Sequence, residues 1–156
     1  MGLPVLQPVL QYGQTATNPR WQLQSWFVHG GAVTAPAIEA SPGDFVTSYM
    51  VFDDVNQEWT IHCANEATGE DSTLKISKAK LGGYDFDWAM IVHETIMASS
   101  SYCAEYPASD HIDYSNVELD SELLGGLWTE RVQKTDCAQT TFTMANSVTF
   151  GWNHTL

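Results

Sequence analysis

Tyr84-Asp85-Phe86-Asp87-Trp88-Ala89-Met90-Ile91-Val92-His93-Glu94-Thr95-Ile96-Met97 is a long apolar run with one carboxylate, Glu94, near its far end. Gly82-Gly83 opens it and Ser99-Ser100-Ser101 closes it. Aromatic and β-branched residues between such punctuation predict a central strand buried on both faces. Alternation puts Trp88, Met90, Val92 and Glu94 on one face and Ala89, Ile91, His93 and Thr95 on the other. A carboxylate in that company is costly unless it is hydrogen-bonded or performs chemistry. The plain alternative is a Glu at the end of a strand, pointing into solvent.

Outward from this run, the chain reads as short strands separated by turns. Pro4 and Pro8 exclude a helix from Leu3 to Tyr12 and suit an edge strand. Residues 14–20 read as a polar turn region ending in Asn18-Pro19, after which Trp21 to Val28 alternates as a strand that Gly30-Gly31 closes. Its two faces are Trp21, Leu23, Ser25, Phe27 and Gln22, Gln24, Trp26, Val28. The turn Pro42-Gly43-Asp44 leads into a strand from Phe45 to Phe52, with Glu58 to Asn65 as its hairpin partner and Ser72 to Ser77 next. Further strands are expected over Ile112–Leu119, Trp128–Lys134, Thr140–Met144 and Ser147–Trp152. Only Ser121-Glu122-Leu123-Leu124 has a helical look, ended by Gly125-Gly126. This pattern predicts an all-β fold, an antiparallel β-sandwich of jelly-roll type. No repeat or linker divides the chain, so a single domain over 1–156 is expected.

Nineteen Asp and Glu against six Lys and Arg give a formal net charge of -13. Nucleic acid and anionic membrane surfaces are therefore not expected as partners. No apolar run is long enough to span a bilayer as a helix. Cys63, Cys103 and Cys137 permit one internal disulfide with one thiol left over, and show no metal-ligand spacing. Asp53-Asp54 with Asn56, and Asp85-Phe86-Asp87, offer oxygen ligands, but turn acids without a full ligand set read as surface, and no metal is assigned. The N-terminus lacks the basic and apolar segments of a signal peptide, so the protein is expected to be cytoplasmic, or secreted if a leader has been removed. Asn153-His154-Thr155 would be a glycosylation sequon in the secreted case.

Several stretches, in order, resemble the glutamic peptidases (eqolisins), acid peptidases on a concanavalin A-like sandwich. Val9-Leu10-Gln11-Tyr12-Gly13 is similar to the segment with the family's catalytic Gln, and Ser25-Trp26-Phe27 to its aromatic strand. Pro42-Gly43-Asp44 resembles its Gly-Asp turn, and Ala64-Asn65-Glu66-Ala67-Thr68-Gly69 its Asn-x-x-Thr-Gly hairpin. Ala89-Met90-Ile91-Val92-His93-Glu94 is similar to the segment in which an Ala precedes the catalytic Glu by five residues. The resemblance runs from about Leu6 to about Trp152. It implies Glu94 as general base and Gln11 as the amide that holds water and stabilises an oxyanion, with no cofactor and a peptide as substrate. It further implies substrate contacts from Trp21, Leu23, Ser25, Phe27 and Trp88. By the resemblance, Leu23 and Ser25 stand where the family has a Trp and an acid facing the cleft, and Gln11 lies close to the start of the sequence where the family has a longer stretch before its Gln.

Two other functions fit the same residues. A non-catalytic, lectin-like module would hold a glycan or small molecule by stacking on Trp21, Trp26, Trp88 and Tyr84. A different enzyme, an acid-base isomerase or cyclase, would pair Glu94 with a histidine. His93 adjoins Glu94 but should point to the opposite face, which separates the two.

Overall fold

The computed structural model describes residues 2–13, 19–86, 88–94, 103–119, 122–123, 129–133 and 135–156. Two compact units follow one another along the chain, Met1–Ala89 and Met90–Leu156. The described elements are antiparallel strands with two single-turn 3-10 segments, so the chain is all-β.

The first unit is a two-layer sandwich. One sheet holds β1 (Val5–Tyr12), β2 (Trp21–Val28), β3 (Ala32–Thr34) and β4 (Ile38–Ala40), with β3 and β4 both pairing with β2. The other holds β5 (Val46–Asp53), β6 (Glu58–Asn65) and β7 (Glu70–Ser77) in that order. Pro8 is tolerated because β1 lies at a sheet edge, where a missing N–H need not break the ladder. Between the layers, β2 packs on β6 and β7. Leu6, Phe27, Ile61, Ile76 and Leu81 form the core, with Trp59, Leu74, Tyr84 and Phe86 against it.

A buried polar seam also joins the layers. Ser25 donates its backbone N–H to Ser72 Oγ (3.1 Å) and its hydroxyl to the Ser72 carbonyl (2.7 Å), so neither serine is unsatisfied in the interior. Cys63, a free thiol, lies beside them. Its burial raises the thiol pKa, which keeps it protonated and inert.

Turn residues fix how the layers meet. Gly43, at a φ of 94°, lets residues 41–44 fold back on themselves, and Asp44 N–H donates to the Ser41 carbonyl. Asn65 is buried at the end of β6 and donates its amide to the Glu39 carbonyl (3.1 Å) and to Asp44 Oδ2 (2.8 Å). Its Oδ1 accepts the Ala67 N–H (2.9 Å). One side chain thus ties β4 of one sheet to the turn before β5 and the hairpin after β6.

In the second unit β8 (His111–Tyr114), β11 (Thr140–Met144) and β12 (Ser147–Gly151) form a sheet ordered β11-β12-β8. β9 (Glu118–Leu119) pairs with β10 (Glu122–Leu123). Cys103, Tyr106, Cys137 and Trp152 make the core, with Ile112 packed on it, and Cys103 and Cys137 form a disulfide. Residues 107–110 and the C-terminal stretch are laced together: Trp152 Nε1–H donates to the Pro107 carbonyl (2.8 Å) and Trp152 N–H to the Asp110 carbonyl (2.9 Å).

Three expectations need correction. Residues 84–86 and 88–94 form no strand and are not buried on both faces; Trp88 is 59% exposed, and Met90 and Val92 are exposed too. Phe86 instead packs edge-on with both Trp59 and Tyr84 at the first core, while His93 joins the second. The run is apolar because it supplies two separate cores. Glu122–Leu123 is a strand and not a helix, and residues 129–133 form no strand. The expectations for residues 14–18, Asp87, residues 95–97 and 99–101, Gly125-Gly126, Trp128 and Lys134 fall outside the described residues.

Candidate functional site

Register, more than sequence, sorts the residues of the β1–β2 hairpin. Residues directly opposite one another in an antiparallel pair share a face. Gln11 is opposite Gln22, Val9 opposite Gln24 and Gln7 opposite Trp26, while Leu6 is opposite Phe27, Pro8 opposite Ser25 and Leu10 opposite Leu23. The second set includes the core residues Leu6, Leu23, Ser25 and Phe27. The first set is therefore the outer face of the sandwich, and it carries four glutamines and a tryptophan.

On that face Gln11 is half-buried and its amide is oriented. Gln24 Nε2 donates to the Ala35 carbonyl at 2.8 Å, and a carbonyl can only accept, so Gln24 turns its Oε1 toward Gln11. Gln11 Nε2 then donates to Gln24 Oε1 at 3.3 Å. The Ala35 backbone is itself held, its N–H donating to the Ser25 carbonyl. A third row member follows across β4, since Gln22 lies opposite Glu39. Glu39 carries a carboxylate to the same face as Gln11 and is ion-paired with Arg20. Trp26 Nε1–H is buried and has no partner among the described residues. An N–H in that state costs about 1–3 kcal/mol unless something accepts from it.

Of the residues expected to contact substrate, Leu23, Ser25 and Phe27 lie inside the sandwich. The face expected to meet substrate is the interior one here, because its side chains point at β6 and β7. Trp21 is half-buried and stacks at a tilt on Tyr12 with ring centres 5.0 Å apart. Trp88 is exposed. Gln22 and Gln24 were missed as neighbours of Gln11, and Trp26 and Glu39 as further members of its face; the alternation of β2 contained Gln22, Gln24 and Trp26 as one face, but only the pairing with β1 says which face Gln11 shares.

Glu94 belongs to the second unit, where it is exposed and accepts no hydrogen bond from the described residues. Its neighbour His93 is half-buried among Trp152, Tyr106 and Phe150, with ring centres 5.0, 5.6 and 5.9 Å away. Burial among these rings lowers the imidazole pKa below its ordinary value of 6.5. The neutral ring is favoured in the folded state, so its contribution to stability is complete above about pH 6.5. As the pH falls below that value the unfolded chain takes up the proton first, and stability declines until the folded-state pKa is passed. Thermal melts from neutral to mildly acid pH should show this decline in the wild type, and it should be weaker in His93→Phe.

Elsewhere several surface acids are held by hydrogen bonds or ion pairs. Asp53 accepts from the Val55 and Asn56 backbone N–H groups and from the Asn56 amide, which lowers its pKa, and Asp85 is paired with Lys78. Asp110 is held below the ordinary carboxylate range chiefly by its hydrogen bond with His154. Among the described residues no group of three or more His, Cys, Asp or Glu could hold a metal ion, and no helix is long and apolar enough to cross a membrane.

No family model matches the chain, and no curated protein matches it either. Among solved structures it is similar to the aspergilloglutamic peptidase from Aspergillus niger, at 15% sequence identity and a TM-score of 0.63. The match covers 96% of this chain and 90% of that one. Identity that low speaks for the path of the backbone and not for individual side chains. With its antiparallel sheets and its two-layer first unit, this chain has a glutamic-peptidase-like fold.

Proposed function

We propose that the chain is an acid hydrolase of peptide bonds in which Gln11 and Glu94 form the working pair. The observation that carries this reading is the oriented Gln11 amide, held by Gln24 on the outer face of a glutamic-peptidase-like fold. In the reaction Glu94 takes a proton from water as the water oxygen bonds to the peptide carbonyl carbon. Gln11 donates an amide N–H to the oxyanion that forms, and Glu94 then returns the proton to the departing amine as the C–N bond breaks. Low pH relieves the self-repulsion of a chain of net charge -13. The Cys103–Cys137 disulfide supports an oxidising, extracytosolic setting.

Digestion of a denatured protein substrate from acid to neutral pH tests the proposal. Cleavage should be insensitive to chelators and to thiol or serine reagents. Gln11→Ala and Glu94→Gln should each lower kcat/KM by roughly 10²–10³-fold. The double variant should be little worse than either single one, because the two groups act as a unit. A wild-type chain that cleaves nothing in this range would sink the hydrolase reading. The alternative, a non-catalytic module for a glycan or small molecule, is favoured by the exposed indole of Trp88, a flat surface for stacking. Binding in a glycan screen that is lost in Trp88→Ala would establish it.

A further inference from the structure

β5 is an edge strand without the usual protection of an edge. β6 pairs with one side of it over all eight residues without a bulge, and among the described residues no strand pairs with the other side. Natural edges are blunted by lysine, proline, bulges or a covering element. Val46-Thr47-Ser48-Tyr49-Met50-Val51-Phe52-Asp53 contains neither lysine nor proline.

Its side chains are exposed on both faces. Val46, Ser48 and Met50 lie opposite the buried Asn65, Cys63 and Ile61, which places them on the core-facing side. Even so, Val46 is 37% and Met50 43% exposed. On the outer side Tyr49 and Val51 are 51% and 52% exposed. Among the described residues no strand extends the sheet along this edge. Acids stand at both ends of β5: Asp44 and Glu66 near Val46, and Asp53, Asp54 and Glu58 near the other end. Among the described residues, only Glu58 of these five is ion-paired with a lysine, Lys75, at 3.5 Å, and the same lysine also favours the charged form of Asp53. A second copy would bring the same negative charge to the contact, so charge complementarity selects a basic partner.

We propose that β5 accepts an added β-strand from another polypeptide, an extended segment with apolar residues beside Val46 and Met50 and with Lys or Arg at its ends. Main-chain hydrogen bonds would supply affinity, and the end charges direction and selectivity. The proposal rests on β5 alone and is independent of the hydrolase reading.

Titration at neutral pH with a fluorescent peptide of alternating Val and Thr, flanked by lysine pairs, tests it. Saturable binding is expected with the lysine peptide, none with the same peptide flanked by glutamates, and a marked loss of affinity at high salt. Met50→Lys and Val51→Lys should each weaken binding about tenfold or more, a change of about 1.4 kcal/mol. Both positions are exposed, and unchanged thermal melts would show that the variants fold. Absence of binding, equal binding of the two peptides, or undiminished binding by both lysine variants would overturn the proposal. Self-association of the chain through this edge, detected by sedimentation and abolished by Val51→Lys, would assign β5 to a second copy and overturn it too.

Discussion

Phe27→Ala is expected to lower the stability of the protein by about 3–5 kcal/mol, whereas Trp88→Ala should change it by less than about 1 kcal/mol. Both are large aromatic residues in apolar stretches, and the resemblance to the glutamic peptidases implies substrate contacts for both. Phe27 is 5% exposed in the core between the sheets, with Leu6 and Ile61 in the same cluster. Its removal leaves a cavity that neighbours on two sheets cannot fill, because each is held by its own ladder. Trp88 is largely in solvent and leaves nothing behind. Urea melts of the two variants followed by far-ultraviolet circular dichroism check the contrast. A Trp88→Ala loss as large as that of Phe27→Ala would mean that the run from Tyr84 is the buried central strand after all.

Removal of the Cys103–Cys137 disulfide should cost about 4 kcal/mol from the closure of its loop alone. The bond joins residues separated by 34 positions and sits in the core of the second unit with Tyr106 and Trp152. The backbone near it depends on the same contact, since Asn153 N–H donates to the Cys137 carbonyl at 2.8 Å. At about 2–4 °C per kcal/mol for a chain of this size, the midpoint of thermal unfolding should fall by on the order of 10 °C in reductant. The Cys103→Ser, Cys137→Ser double variant should behave like the reduced protein and be indifferent to reductant. Cys63→Ser separates the effects, for its thiol is buried and unpaired, and reductant should destabilise that variant as it does the wild type. A melting point insensitive to reductant in the wild type would contradict the pairing.

Much of the fold was legible because turn chemistry is local. β2 and β6 run from Trp21 to Val28 and from Glu58 to Asn65, as their alternation and bounding polar residues predict. Gly43 and Gly69 adopt positive φ in the turns the sequence marks. The stretches that resemble the glutamic peptidases include these turns, and in this chain the Asn65 amide satisfies three backbone or side-chain groups at a junction of two sheets. β3 and β4, of three residues each, escaped notice because so short a segment carries no period.

Alternation along β2 divides its residues into two faces without saying which is inside, because Leu23 and Phe27 on one face and Trp26 and Val28 on the other are both apolar enough to be buried. Packing against β6 and β7 decides for Leu23, Ser25 and Phe27, and thereby puts Gln11, Gln22 and Gln24 on the opposite face, where Gln22 is nonetheless buried. The sequence by itself determined the all-β class and the main hairpins of the first unit, since these depend on neighbours a few residues apart; Gln11 and Glu94 became candidates through the resemblance of their segments to those of the glutamic peptidases. Only the tertiary structure decided that Gln24 orients Gln11, that Cys103 rather than Cys63 pairs with Cys137, and that the run from Tyr84 feeds two cores. Each of these is a contact between segments distant in the chain, and hydrophobicity, which drives burial without direction, does not encode which distant surface an apolar run will find.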